Sequence, residues 1–265
     1  MTAIEVDAPS GASPAGVLTA RRPLPPVGVC TLALIAGLVA GFASWLIGEK
    51  YHGRFDPPGP TKITSGFSSP EKVNAHFAAR QAGQVSETTL AFGALGAVLG
   101  LALGLAGGFA RGSAAAALIA ALVGSILGGI AATAITWALQ PIYYKYINLD
   151  TNDLLMAILF QGLICSVIGA LGGAAFSIGL GQWKRAASSL FGGLLGAMAG
   201  VLVYEIVGAI AFPGDGVTSP LSFTSGTRLF ARLAVTTLAS AGAAWGALNM
   251  VKEAVSSPLS AEHHL

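Results

Sequence analysis

One carboxylate stands in a stretch of sequence that is otherwise apolar. Glu205 precedes Pro213 by eight residues, so in a helix it lies about 12 Å from that helix end. A charge at the centre of a bilayer costs roughly 3 kcal/mol or more, and such groups usually face protein or water and have a partner. Three interpretations stay open: Glu205 binds a proton or ion, it forms a buried ion pair, or its side chain reaches to the membrane interface. The nearest candidate partners are Arg228 and Arg232, at the start of the next apolar stretch.

The rest of the sequence contains no enzyme or metal-binding pattern. It has no Gly-rich loop between a strand and a helix, no His-x-x-x-His, no Cys-x-x-Cys and no serine in a nucleophile elbow. His52 and His76 share a polar segment with acidic residues, but their spacing is not that of a metal site. We therefore predict no catalytic residue, no cofactor and no metal, and a protein that is not an enzyme.

Composition places the chain in the multipass membrane class. Of its 265 residues, 54% are hydrophobic and only 10% are charged, whereas soluble domains carry about 25% charged residues. Its mean hydropathy is +0.71. The net charge of +2 and the lack of a basic stripe exclude nucleic acid as a predicted partner. The expected partner is the lipid bilayer, and an association with a second copy or another membrane protein stays open.

Long apolar runs between short charged segments predict an all-α membrane protein, a bundle of six transmembrane helices. A 22-residue run reaches about 33 Å as a helix, enough to cross the hydrocarbon core. Residues 1–26 are predicted to be a disordered cytoplasmic tail, 27–252 the membrane domain, 49–88 a polar outer loop and 253–265 a short cytoplasmic tail. The predicted spans are residues 27–48, 89–110, 114–140, 154–180, 186–212 and 229–251.

Capping residues predict how the polar segments are organised. Pro70 suits a first helical position and Gly83 a helix end, which predicts a short amphipathic helix over residues 70–82. Pro141 and Pro213 are predicted to begin loops. The predicted N-caps of the helices that follow the longer loops are Ser86, Thr151 and either Ser225 or Thr227.

Glycines at helical spacing predict close contact between neighbouring helices. In a membrane, small residues let two backbones approach, and such packing holds membrane helices together. A shift of 72 residues aligns the first glycine-rich hairpin with a second one, which predicts an internal repeat. Glu205 lies off the glycine stripe of its own helix. The predicted packing glycines are Gly100, Gly104, Gly124, Gly128, Gly172, Gly196 and Gly200.

A glycine-rich hairpin with one membrane carboxylate in its second helix, away from the glycine face, is similar to the rotary proteolipids of ATP synthases. The chain departs from them in its six predicted spans and its long polar loop. Thr133 also stands in the earlier copy at the position that corresponds to Glu205. We do not assign the chain to that family.

The short turns predict the orientation. Arg111-Gly112-Ser113 and the segment from Gln182 to Arg185 are basic and free of acidic residues, whereas the longer connections mix both signs. By the positive-inside rule both termini are expected inside, in a bacterial cytoplasmic membrane. The function favoured is a non-enzymatic structural or assembly component, and the alternative is a small-solute or ion transporter or channel that uses Glu205.

Overall fold

The structure, a computed structural model, describes residues 24–55, 70–146, 154–212 and 221–256. Within these ranges the chain is helical and has no strand, which confirms the all-α prediction. A 3-10 turn over Trp183–Arg185 leads into α5. The helices are α1 Pro26–Tyr51, α2 Pro70–Arg111, α3 Ala114–Tyr146, α4 Leu154–Leu180, α5 Ala186–Ala211 and α6 Ser225–Ser256.

Five helices, α1 to α5, are long and apolar enough to cross a membrane. The sixth span therefore stays a prediction. The predicted tails lie outside the described residues, apart from residues 24–26 before and at the start of α1 and residues 253–256 at the end of α6. The predicted loop residues Thr151 and Pro213 also lie outside them.

Helix α2 corrects the prediction of a separate amphipathic helix over residues 70–82. The chain continues through Gly83, which is buried, and forms one helix of 42 residues. No proline interrupts this stretch, and Ser86 does not cap a new helix. Its hydroxyl donates to the Ala82 carbonyl at 3.0 Å, within the same helix. At about 1.5 Å per residue α2 is roughly 63 Å long, about twice the thickness of a hydrocarbon core.

Helix α3 also runs further than predicted, through Pro141 to Tyr146. A proline removes one backbone hydrogen bond, but here only one and a half turns follow it. The side chain of Tyr143 is buried in this last stretch, and its ring lies 5.5 Å from that of Phe160 on α4. This packing holds the end of the helix against its neighbour.

Helix α6 begins one residue after its capping residue, Thr224. The backbone N–H of Thr227 donates to the Thr224 hydroxyl at 3.4 Å. The prediction of Ser225 or Thr227 as the N-cap is therefore wrong by one position or three. A threonine does cap this helix, but it is Thr224 and not Thr227.

The bundle has two chemically different ends. At the turn end, Gly112 and Gly181 adopt φ angles of 81° and 72°, a left-handed conformation that favours glycine, and they close the α2–α3 and α4–α5 connections. Leu24, just before α1, also lies there, because its N–H donates to Ala110. At the opposite end, which we call the ion-pair end, α1 finishes and α6 begins. Helix α4 is central, in contact with α2, α3, α5 and α6.

Glycines bring α2 and α3 into backbone contact. A Cβ atom added at Gly100 would collide with the carbonyl oxygen of Gly124, and one added at Gly104 would lie 2.5 Å from the backbone carbon of Ala120. A Cβ at Gly128 would lie 2.5 Å from the carbonyl oxygen of Gly96. At these three positions the α2–α3 interface is therefore a seam with room only for glycine.

The second hairpin, α4–α5, forms its seam with other glycines. Gly169 meets Gly193 there, and Gly173 meets the backbone of Ser189. Gly196 and Gly200, which the predicted repeat equates with Gly124 and Gly128, face α6 instead. Gly172, the equivalent of Gly100, faces the side chains of Leu99 and Leu103 on α2. The duplication stays a prediction, since equivalent glycines have different neighbours.

Candidate functional site around Glu205 and Arg232

The periodicity of α5 determines where Glu205 lies. Buried residues recur at every fourth position of the helix, and Glu205 is the last of that stripe. The stripe packs against α4 through Gly193, whose backbone meets Gly169, while the neighbouring stripe of Gly192, Gly196 and Gly200 packs against α6. The stripe members are Ser189, Gly193, Ala197, Val201 and Glu205.

Glu205 has no partner in the part of the chain that the structure describes. Its exposed fraction is 0%, and neither carboxylate oxygen accepts a hydrogen bond there. The predicted ion pair with Arg228 or Arg232 is therefore not formed. An unpaired charge in an apolar interior is strongly unfavourable, so an uncharged carboxyl group is the form accommodated there at the lowest cost.

Arg228 pairs with Glu49 at the end of α1. Its Nε and Nη2 atoms donate to the two carboxylate oxygens of Glu49 at 2.6 and 2.9 Å, a bidentate arrangement. Its Nη1 atom donates to the carbonyls of Ser222 and Phe223 at 2.8 and 3.0 Å. The guanidinium thus holds the end of α1 against the start of α6.

Arg232 lies one turn deeper and is 7% exposed. Its Nη1 atom donates to the carbonyl of Ala91 at 2.9 Å, and its guanidinium carbon lies 5.1 Å from the centre of the Phe92 ring. Among the described residues no carboxylate lies within 4.0 Å of it. Arg232 therefore has a carbonyl and an aromatic face as neighbours, but no counter-ion.

Glu205 and Arg232 flank a common neighbour on α4. The free thiol of Cys165 is buried and lies within electrostatic range of both residues. The structure therefore brings the two predicted residues into one region without joining them. Sequence spacing made Glu205 and Arg232 candidate partners, but it could not give the rotation of each helix.

A cavity of about 40 Å³ separates α2, α4, α5 and α6 beside Arg232. A solute path through the bundle would need polar walls, and Gln161 lines this cavity. Glu205 does not, Thr136 is buried elsewhere on α3, and Thr133 faces an open groove on the surface of α3. The cavity is lined by Phe92, Leu95, Gln161, Cys165, Val201, Tyr204, Leu221, Ser222, Arg228, Ala231, Arg232 and Val235.

A second side-chain contact at this end, between His52 and Glu87, was missed because the segment that contains Glu87 was interpreted as a loop. Glu87 contacts the Nδ1 atom of His52 and accepts the backbone N–H of Gly53 at 3.1 Å. Glu87 belongs to a buried stripe on α2 that repeats every fourth residue from Gly83 through Ala91, Leu95, Leu99 and Leu103. That periodicity is visible in the sequence and would have placed Glu87 on the helix.

Comparisons with known proteins give no family for the chain: no protein-family model, no curated protein and no solved structure matches it. The functional interpretation therefore depends on the residues of the site and on how the helices around them pack.

Proposed function

We propose that the protein is a non-enzymatic structural or assembly component of a membrane. The observation that supports this proposal is backbone-to-backbone contact between neighbouring helices, at Gly100 with Gly124, Gly169 with Gly193, and Gly192 with Gly242. Lipid provides no hydrophobic force between helices, so dense packing of this kind is what holds a membrane bundle together. The 40 Å³ cavity has room for a few waters at most, not for an organic solute.

The second candidate is a small-solute or ion transporter or channel. It is favoured by one observation, the lack of a partner for the buried carboxylate of Glu205 in the described part of the chain. An ionisable residue inside a membrane is a functional candidate by default, because its burial is costly and must be compensated. In this role Glu205 exchanges a proton or a cation as its surroundings open and close.

Flux measurements on reconstituted vesicles distinguish the two candidates. For a structural component, proton, sodium and potassium flux through wild-type vesicles should equal that through protein-free vesicles. Glu205→Gln should fold and melt like the wild type, since no partner in the described ranges is lost. Flux above the protein-free level that Glu205→Gln abolishes, with folding intact, would replace the structural proposal with the transporter.

We also propose six spans. The part of α6 that would cross the membrane has a hydrogen bond near each end of the bundle. The Trp45 indole donates to the Ser225 carbonyl at 3.2 Å, and the Ser188 hydroxyl donates to the Gly246 carbonyl at 2.8 Å. The 21 residues between the two carbonyls correspond to about 32 Å of helix, the thickness of a hydrocarbon core.

With six spans both termini lie at the turn end, which we propose faces the cytoplasm of a bacterium. Single cysteines test this orientation in a variant whose native Cys30 and Cys165 are replaced by alanine. Arg54→Cys, at the ion-pair end, should react with an impermeant thiol reagent added to intact cells, and Lys184→Cys, at the turn end, should be protected until the cells are opened. Both side chains are exposed in the structure. The reverse pattern would invert the orientation.

A further inference from the structure

We propose that the cavity beside Arg232 binds one small monovalent anion, of about the size of chloride. We call this site the Arg232 cavity, meaning the 40 Å³ space between α2, α4, α5 and α6. The proposal does not depend on either function above: the anion would be a structural ligand in a scaffold and a bound ion in a transporter.

The first argument is uncompensated charge. An arginine guanidinium stays protonated in proteins, so Arg232 brings a full positive charge into a site where it is only 7% exposed. Its guanidinium contacts the Ala91 carbonyl and the Phe92 ring, and no carboxylate of the described residues lies within 4.0 Å of it. A buried charge without a counter-ion is strongly unfavourable, and a bound anion would remove that penalty.

The second argument concerns the charges nearby. Arg228 also lines the cavity, but the bidentate contact with Glu49 neutralises it. Glu87 contacts His52 in an adjoining cavity of about 10 Å³, which Glu49 and Arg232 also line. No carboxylate lines the Arg232 cavity itself. Of the two charged residues that line the cavity, Arg228 and Arg232, only Arg232 therefore has no carboxylate in direct contact among the described residues.

The third argument is the size and chemistry of the walls. One water occupies about 10–15 Å³ of cavity volume. The 40 Å³ cavity therefore accommodates about three waters or one dehydrated halide. Phe92, Leu95 and Val235 make much of the wall apolar, which favours a weakly hydrated monovalent anion over phosphate or sulfate. The Arg232 guanidinium provides the hydrogen-bond donors. With no acidic oxygen in the lining, the site does not suit a cation.

Thermal unfolding of the purified full-length chain in detergent tests the proposal. Sodium chloride is compared with sodium gluconate at equal ionic strength, because gluconate is too large for the cavity. A ligand that binds only the folded state raises the unfolding temperature with its concentration. The wild type should therefore melt higher in chloride and in bromide than in gluconate. Equal melting temperatures in the three salts would overturn the proposal.

Two variants locate the effect. Arg232→Gln should weaken chloride binding at least tenfold, and Lys184→Gln, an exposed cation at the turn end, should leave it unchanged. Because Arg232→Gln risks misfolding, Val235→Leu provides a second route: it keeps the arginine, occupies the cavity, and should also remove the chloride effect. Chloride stabilisation that persists in a folded Arg232→Gln or Val235→Leu variant would place the anion elsewhere and contradict the proposal.

Two further readouts separate the anion from its alternatives. Crystals grown in bromide should show an anomalous peak within about 3.5 Å of the guanidinium nitrogens, and water in its place would overturn the proposal. If Glu205 is the distant counter-charge of Arg232, chloride should stabilise Glu205→Gln but not the wild type. That result would also reject an anion in the native site.

Discussion

The glycine seams and the ion-pair end hold the same helices together by different means. Along the seams, Gly100 meets Gly124 and Gly192 meets Gly242 with no side chain between the backbones. At the ion-pair end, Glu49 and Arg228 join α1 to α6, and His52 and Glu87 join α1 to α2. The seams set how closely helices approach, while the ion pairs set which helix ends lie beside each other.

This difference follows from what surrounds the helices at each depth, which is hydrocarbon in the middle of a span and water near its ends. In hydrocarbon, dispersion contacts and close backbone approach are the available attractions. Near the end of a span, charged groups retain some contact with water, so a pair forms there without the full desolvation penalty. Glu205 and Arg232 fit neither description, since they are buried ionisable residues without an ion-pair partner in the described ranges, and for this reason they are the candidate functional site.

The largest expected effect is at the α2–α3 seam. Gly100→Ala adds only a Cβ atom, but that atom would collide with the Gly124 carbonyl, so the two helices must separate. We expect a loss of about 3 kcal/mol in the free energy of unfolding, measured in mixed detergent micelles. Gly48→Ala is the control, because an added Cβ has no neighbour within 4 Å there. It should be neutral or gain up to about 1 kcal/mol from helix propensity. Similar losses at both positions would show that the seam is not special.

The next effect is expected at the ion-pair end. Arg228→Gln leaves Glu49 without its bidentate partner, and Glu49 is only 25% exposed in its side chain. We expect a loss of about 2 kcal/mol, since hydrogen bonds to charged groups contribute about 1.5–3 kcal/mol. The double variant with Glu49→Gln should recover part of it, because no unpaired charge remains. Additive losses in the double variant would mean that the two side chains act independently.

Much of this fold could be predicted from the sequence, because the hydropathy of a membrane helix is a local property. The predicted bounds of α4, residues 154–180, are those observed. The break predicted at Gly83 was wrong, although it also came from a local property, since glycine is a poor helix former. The helix continues because the buried face of α2 extends past Gly83. Tertiary packing decided the outcome there.

The partners of the charged residues could not be predicted in the same way. Arg228 pairs with Glu49, which lies 179 residues earlier in the chain. That pairing depends on which helices are neighbours, how each is rotated and at what depth each begins. Spacing along the sequence favoured Glu205, on the preceding helix, as the partner. The candidate residues were thus visible in the sequence, whereas their contacts required the packing.

A smaller effect separates the two hairpins of the predicted repeat. Gly172→Ala is the counterpart of Gly100→Ala, but the nearest atoms to the added Cβ are Leu103 Cδ1 at 3.0 Å and Leu99 Cγ at 3.3 Å. Flexible side-chain ends can move aside where a backbone carbonyl cannot. We expect a loss of about 1 kcal/mol or less in the same unfolding measurement. A loss as large as that of Gly100→Ala would mean that the two positions are equivalent in their packing, as a true repeat requires.

The smallest effect is expected for His52→Ala, which removes the partner of Glu87 at the rim of the ion-pair end. The His52 side chain is 41% exposed, and Glu87 keeps the backbone N–H of Gly53 as a donor. Exposed pairs contribute about 1 kcal/mol or less and are screened by salt. The loss in unfolding free energy should therefore be below about 1 kcal/mol and should shrink as sodium gluconate is raised at constant pH. Gluconate is the appropriate salt because it cannot enter the Arg232 cavity. A loss as large as that of Arg228→Gln that does not change with salt would contradict this expectation. It would mean that water is excluded from both the His52–Glu87 and the Arg228–Glu49 contacts, and that this end of the bundle is packed like the seams.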